Sequence, residues 1–451
     1  MNQMEKNTSL VTGNIKKQLL LFSIPIFMST LLQQLYNIID AIVAGRLLTD
    51  NSISAIGVAV PIYLLFVSVI LGLAIGVSIL LAQFYGAKKY DEIKALTSTV
   101  AIFMAVLGVT MAIGGLIIAK PILTLIQTPA EILGDATIYL QLLFLGIPFS
   151  IFYNLLGAIM RSFGETKLPL YALILSSIIN LILNIVLVLF GIGIAGIAIA
   201  TILAQAVSGA MLFVQAKKRF PAAIPAKTEI NFNRPLFALT LKICTPIIIQ
   251  QMTIFLGMLI IQGFINQFGS GNIGGMTAAS RIEAFVLLPL QALGNSLSIF
   301  AGQNCGANEI KRLKQGTKFC IQISLAIAVV LSILLLLFGK AALSLIVGQN
   351  AEMISSGYSY FQICLWFYPI NAFVYGLGGM LTGVGDTIIA SIYSTASIFV
   401  KLAVTILLIG KIGFLAIAAA SCCGWCAASI VVILRYFSNK WQTKSVIKSN
   451  A

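Results

Sequence analysis

Histidine is absent from this chain of 451 residues, which removes imidazole metal sites and both Ser-His and Cys-His nucleophilic catalysis. Charge is scarce as well: Asp, Glu, Lys and Arg together make up 9% of the residues, and only 13 residues are acidic. Without clustered acids, neither a metal centre nor acid–base chemistry has its groups, so no enzyme and no resident cofactor is expected. There is no Walker loop, which excludes nucleotide-driven pumping. Gly191-Ile192-Gly193-Ile194-Ala195-Gly196 spells a dinucleotide fingerprint, but it sits in a short turn between apolar segments and no acidic residue follows to take a ribose. Seven cysteines lie in or beside apolar runs, and Cys423-Gly424-Trp425-Cys426 has redox spacing without a thioredoxin-like context.

What fills the chain is hydrocarbon. Hydrophobic residues make up 59%, far more than a soluble core of this length needs. Twelve apolar segments, near 17–46, 53–83, 93–119, 134–160, 168–190, 194–216, 237–267, 275–304, 310–338, 354–381, 387–410 and 412–437, are each long enough to cross about 30 Å of hydrocarbon as helix. An even number of spans puts both termini on one side, and the basic residues say which. Of the 28 Lys and Arg, 22 fall on the N-terminus, the even-numbered loops and the C-terminus, against 5 on the odd loops, so both termini are expected in the cytoplasm. The net charge of +15 is accounted for by that topology and implies no nucleic-acid partner. The first seventeen residues are polar and the run after them is full length, which reads as an uncleaved first span.

The basic stretch from Lys217 to Arg234, with Pro221 and Pro225, is the longest polar interruption. It divides the chain into an N-terminal six-helix lobe (1–216), a cytoplasmic linker (217–236) and a C-terminal six-helix lobe (237–451). The halves repeat. Ser78-Ile79-Leu80-Leu81-Ala82-Gln83-Phe84-Tyr85-Gly86-Ala87 returns as Ser298-Ile299-Phe300-Ala301-Gly302-Gln303-Asn304-Cys305-Gly306-Ala307. Pro25 matches Pro246, Pro148 matches Pro369, and Gly164-Glu165-Thr166 matches Gly385-Asp386-Thr387, all at one offset. The fold class is therefore an all-α polytopic membrane protein, twelve transmembrane helices in two pseudo-symmetric six-helix bundles. Parallel repeats of this kind belong to transporters, which open a central cavity to alternate faces by rocking one bundle against the other. Gly72-x-x-x-Gly76 and Gly376-Leu377-Gly378-Gly379 fit such bending or plain close packing equally.

Polar side chains inside the spans are few and therefore informative. Gln33, Asn37 and Asp40 share one face of the first helix with Tyr36 one turn below Asp40. At 1.5 Å per residue, Asp40 lies roughly 34 Å along the helix from Lys17. A carboxylate there costs at least about 2.5 to 3.5 kcal/mol to insert, which marks an ion or substrate site or a tie between two helices. Asn154 of the fourth helix and Ser177, Asn180 and Asn184 of the fifth can join it; the last three share one face, for a ligand or for neighbouring helices. In the second half Gln250, Gln251, Gln262, Asn266, Gln291, Asn295, Tyr360, Trp366, Tyr368, Asn371 and Tyr375 give an amide and aromatic lining suited to flat cations. Glu283 is the other acid clearly within a span, placed to attract cations near the outer mouth or to tie an interfacial helix. Lys401 repeats the position of Asn180 and needs a carbonyl, a carboxylate or water, as a structural cation or as a fixed cavity charge.

These features together resemble the multidrug and toxic compound extrusion (MATE) transporters, and among them the DinF-like bacterial branch. The resemblance covers essentially the whole chain and rests on the duplicated Gln83 and Gln303 motifs, the Gln34 to Asp40 helix, Arg161-Ser162-Phe163-Gly164-Glu165-Thr166, and the run from Asn180 to Thr201. It implies a multi-pass protein of a bacterial inner membrane that exports organic cations and other amphiphiles in exchange for protons or sodium. Gln34, Asp40, Tyr139, Asn154, Asn180, Asn184 and Thr201 match its first-lobe site. Where relatives often have Asp four residues after Asn180, this chain has Asn184, and acids on the seventh and tenth helices of sodium-coupled relatives are missing. Asp40 is left as the coupling carboxyl, supported by Gln34, Tyr36, Asn37, Tyr139, Asn154, Asn180, Asn184, Thr201 and Glu283. Withdrawal from water favours the protonated form of such a group, so proton antiport by a monomer is expected. The alternatives are a sodium-coupled drug antiporter and a flippase for lipid-linked saccharides. The flippase would want several basic residues in its cavity, and Lys401 is the one basic residue clearly inside a span.

Overall fold

A computed structural model of the chain describes residues 9–447, without the side chains of Asn37, Asp40, Ala41, Ala222 and Lys227. The described residues form thirteen α-helices and no strand, as they must where an apolar chain satisfies every backbone N–H and C=O within its own segment. The helices are α1 (Ile15–Leu47), α2 (Asp50–Gly86), α3 (Tyr90–Leu125), α4 (Ala130–Ser162), α5 (Lys167–Leu189), α6 (Ile194–Arg219), α7 (Arg234–Ile265), α8 (Ser270–Gly306), α9 (Ile310–Val347), α10 (Ala351–Cys364), α11 (Asn371–Gly383), α12 (Thr387–Ile412) and α13 (Leu415–Phe437). Eleven are long and apolar enough to cross a membrane, and α10 with α11 make a twelfth span bent by 50°. Turn chemistry sets the starts: the Thr49 hydroxyl accepts the Ser52 N–H and the Asn350 side chain accepts the Met353 N–H, capping α2 and α10.

The tenth span, read from sequence as one continuous segment, is broken. Pro369 has no N–H, and its ring clashes with the carbonyl four residues earlier, that of Leu365. Ser332 of α9 donates its hydroxyl to the Leu365 carbonyl at 2.8 Å, so the break leaves no orphan acceptor at that position. The matching proline of the first half, Pro148, lies inside the unbroken α4, and Met111 stands where the second half has Ser332.

Two compact units emerge. The first holds Met28–Ile248; the second takes in Leu10–Phe27 and the chain from Ile249 onward. In the first unit α2 and α6 lie along α4, α3 packs on α4, and α5 lies along α6. Gly72 lets the Ile248 backbone come within 2.7 Å of where a Cβ would stand, and one turn on Gly76 faces Cys244. That pair of glycines is thus a packing surface for the first half of α7. The stretch before α7 is laced to α3: Ser98 Oγ donates to the Asn231 carbonyl at 2.9 Å and accepts the Asn231 N–H at 2.7 Å. Glu229 accepts the Ala226 N–H and, at 3.0 Å, the Lys94 ammonium. The backbone bond first and the ammonium second hold its carboxyl below the usual range.

In the second unit α8 is the hub, in contact with α9, α10 and α11, while α12 lies along α13. Gly379 abuts the Gly294 carbonyl and Gly383 the Ser298 carbonyl of α8, while Gly376 meets Ile321 of α9 and Gly378 meets Tyr393 of α12, so the glycine-rich run of α11 serves close packing on three neighbours. The second copy of the duplicated motif has a structural task. Gln303 Oε1 accepts the Leu10 N–H at 2.9 Å, Asn304 donates to the Leu10 carbonyl at 3.2 Å, and Arg312 donates to the carbonyls of Leu10 and Gly13. The Gly-acid-Thr motifs are likewise structural in both halves. Glu165 accepts the N–H groups of Lys167 and Leu168 at the start of α5 and meets Arg219 at 3.5 Å. Asp386, 3% exposed, takes Arg435 Nε at 2.6 Å; such a buried pair is strongly destabilising to break.

Replacing Ser332 by Ala strands the Leu365 carbonyl in an apolar setting, and it is expected to cost roughly 1 to 3 kcal/mol. Thermal unfolding of the purified variant in detergent checks this; a melting temperature equal to wild type would show that the break needs no external donor.

Candidate functional site

The first unit brings some of the sequence-selected residues together. Tyr36 of α1 and Thr201 of α6 line a polar pocket of about 50 Å³ together with Gln33, Tyr153, Ser177 and Gln205. Gln33 and Tyr36 come together because residues three apart share a helix face. Asn180 and Asn184 of α5 are fully buried. Asn184 donates to Asn180 Oδ1 at 2.8 Å, and Asn180 donates to Thr201 Oγ1 at 3.2 Å. A chain of amides and a hydroxyl therefore runs from α5 to α6 beside the pocket. Tyr139 is buried but does not line the pocket, nor does Gln34, which stands half-buried. Asn154 turns back on its own helix, donating to the Ser150 carbonyl at 2.8 Å. The side chains of Asn37 and Asp40 lie outside the described residues; their backbone continues α1 past Tyr36. Tyr153 and Gln205 were not singled out from sequence, where nothing but the rotation of α4 and α6 separates a polar residue facing a pocket from one facing a neighbour.

Glu283 lies in the second unit, within a cavity of about 480 Å³. One carboxylate oxygen, Oε2, accepts the hydroxyl of Tyr360 at 2.6 Å and that of Tyr368 at 3.2 Å. Tyr360 comes from α10 and Tyr368 from the turn between α10 and α11, so the break at Pro369 is what lets two phenols from one span converge on one carboxylate. The same cavity is lined by Lys401 of α12, Trp425 of α13, and Gln250, which donates to the Tyr393 hydroxyl at 2.8 Å. Tyr368 stands 5.6 Å from Trp425, ring centroid to centroid. Of the expected amide and aromatic lining, Gln250, Gln262, Tyr360, Asn371 and Tyr375 do line it. Trp366 does not: it sits at the break, 71% exposed. Tyr393 and Trp425 were missed, the first because it carries no pattern and the second because it was read within a cysteine motif. Those cysteines are free, Cys423 exposed and Cys426 half-buried. Among the described residues no group of three or more Cys, Asp or Glu is placed to hold a metal ion.

The two sites differ in what they can hold. About 50 Å³ takes a few waters, whereas about 480 Å³ lies in the range of pockets for drug-sized molecules.

Comparison with known proteins follows the same division into halves. A family model described as MatE matches the chain twice, over residues 25–186 and 246–407. The second match begins 221 residues after the first, the offset that separates Pro25 from Pro246. The chain is 28% identical over 446 residues to "Probable multidrug resistance protein YoeA" of Bacillus subtilis (strain 168), covering 96% of each. It is 30% identical over 379 residues to "Probable multidrug resistance protein YpnP" of the same organism, covering 83% of each. Its fold is similar to that of a multidrug resistance MATE family transporter of the MOP superfamily solved in an outward-facing conformation, with a TM-score of 0.89 at 22% identity over 97% of this chain and 99% of that one.

Replacing Asn180 by Ala removes the bond to Thr201 and the acceptor of Asn184 together. The variant is expected to lose about 1 to 3 kcal/mol of stability, read as a lower melting temperature in detergent; an unchanged value would mean the amide chain does not tie α5 to α6.

Proposed function

The chain belongs to the MatE family, and from that footing we propose that it is a secondary active multidrug efflux antiporter, exporting cationic or amphipathic organic compounds in exchange for protons by alternating access. The names of its relatives support export of drugs. The observation that carries the reading is the pairing of two unlike polar sites: a drug-sized cavity holding a carboxylate among aromatic rings in one unit, and a pocket of only a few waters' volume, next to α1, in the other.

In this reading the small pocket belongs to the coupling ion. Asp40 is four residues beyond Tyr36 on α1, the spacing of residues that share a helix face, and it is the coupling carboxyl in this reading. Of the other residues expected to support it, Gln34 and Tyr139 do not line the pocket and Asn154 bonds to its own helix, so the supporting role falls on Tyr36, Asn180, Asn184 and Thr201. Sodium would want five or six oxygens and more than one negative charge to offset its dehydration, whereas Asn184 supplies an amide at the position of a second acid. A single carboxyl suits a proton: it binds one from outside, becomes neutral, and releases it to the cytoplasm. No cofactor is needed. The larger cavity belongs to the substrate, with Glu283 as the counter-charge for an organic cation and with Trp425, Tyr375 and Tyr360 as surfaces for flat rings.

The multi-pass chain acts in the bacterial inner membrane as a monomer, with both termini in the cytoplasm, as the excess of Lys and Arg on those loops argues. Its partners are the lipid bilayer and small organic molecules, not nucleic acid.

Replacing Asp40 by Asn keeps size and hydrogen bonding but removes the titratable group. In proteoliposomes the variant is expected to insert normally and to lose export of a fluorescent cation driven by an inward proton gradient, while wild type alkalinises the outside as it exports. Export by wild type that survives collapse of the proton gradient and demands a sodium gradient would overturn the proton assignment. Glu283→Gln is expected to raise the apparent KM for cations and spare neutral substrates; equal effects on both classes would reduce Glu283 to a helix tie.

A further inference from the structure

The second-unit cavity holds a charge that export of simple cations does not use. Lys401 Nζ makes no hydrogen bond and no ion pair within 4.0 Å to any described residue, although it lines the same cavity as Glu283. On the carboxylate, both phenols bond to Oε2, and no described residue donates to Oε1. One ammonium and one carboxylate oxygen therefore face a shared space with their bonding capacity unspent. The remaining walls are apolar, with Ile261 and Leu287 among them, and the Trp425 indole supplies a flat face.

Glu283 and Lys401 attract one another through space, but without direct contact each charge still lacks a full set of hydrogen-bonding partners in a setting of low dielectric, which is costly. A ligand carrying a single positive charge satisfies Glu283 but brings a second cation into a cavity that already contains Lys401. A ligand with a single negative charge has the reverse fault. Compensation is complete with one positive and one negative group on the same molecule, the first toward Glu283 Oε1 and the second toward Lys401.

The repeat supports reading this as a site. Carried forward by 221 residues, the first unit's Asn180, Thr201 and Tyr139 become Lys401, Cys422 and Tyr360. The duplicated scaffold thus puts a polar side chain at the α12 position in both units, and the second unit has exchanged a neutral amide for an ammonium.

We propose that Lys401 is a specificity-determining residue of the second unit's cavity: by holding an anionic group, a carboxylate or a comparable oxyanion, it favours aromatic ligands that carry such a group beside their cation over ligands that are cations only. The proposal rests on the export reading and deepens it, because it names what sets ligand preference in the same cavity, but it concerns binding and is tested without transport.

The test uses rhodamine 110, which carries a free carboxylate beside its cationic ring system, and rhodamine 123, its methyl ester, which is a cation only. Equilibrium binding of each dye to the purified full-length protein in nanodiscs is followed by fluorescence polarisation. Wild type is expected to bind rhodamine 110 at least about tenfold more tightly than rhodamine 123, the effect of one charge-assisted hydrogen bond. Lys401→Met keeps the length of the side chain and removes the ammonium; it is expected to abolish that preference and to bind rhodamine 123 more tightly than wild type does. Lys401→Arg is expected to retain the preference. Equal binding of the two dyes by wild type, which needs no variant to be folded, overturns the proposal, as does a preference that persists in Lys401→Met or disappears in Lys401→Arg. Loss of cation export in Asp40→Asn proteoliposomes with this preference intact would uphold both readings, and a lost preference with normal proton-driven export would sink this one alone.

Discussion

Every polar group that this chain carries into the membrane must be satisfied by the protein itself, and much of the structure follows from how that is done. Backbone groups are handled by helices, which close their hydrogen bonds within one segment. Where the helix fails, at Pro369, a serine from α9 takes the freed Leu365 carbonyl. Charged side chains receive the same treatment: Asp386 has Arg435, and Glu283 has two phenols. Lys401 has no such direct partner among the described residues, and it lies on the wall of the second unit's cavity.

Duplication explains why satisfied and unsatisfied groups occur where they do. Both halves keep residues that set helix packing, so the Gly-acid-Thr motif caps or pairs in each and glycines stand at close helix contacts in each. They diverge in the polar residues facing inward. The first unit has an amide chain from Asn184 through Asn180 to Thr201, neutral and compact around a small pocket. The second has Lys401, Cys422 and Tyr360 at the matching positions, opened out by the break between α10 and α11 into a cavity about ten times as large. One scaffold thus carries two kinds of site, one fitted to an ion and one to an organic molecule.

The break itself links backbone chemistry to function. Had the tenth span been continuous, residues eight apart would stand about 12 Å apart along the helix axis. Tyr360 and Tyr368 instead reach a single carboxylate oxygen, because the 50° bend brings the start of α11 round toward α8. A proline that removes one backbone donor therefore shapes the pocket through geometry rather than through any contact of its own.

The sequence alone determined the number of spans, the duplication and its offset, because hydrophobic length and repeated motifs are local properties that survive without knowledge of packing. It also singled out Asn180 and Asn184, and it identified Lys401 as a charge that needs a partner or water, since a polar group in a long apolar run is costly wherever the run is placed; Thr201 was named only through the family resemblance. Only the tertiary structure decided which of these groups meet. Glu283 was legible as an intramembrane acid, but its two tyrosines lie 77 and 85 residues away, and their convergence depends on a bend that the presence of Pro369 permits and Ser332 makes tolerable. Likewise Gln33 rather than Gln34 lines the first pocket, a difference of 100° around α1 set by how that helix is rotated against α5 and α6. Periodicity says which residues share a face; the packing of the neighbouring helices says what that face meets.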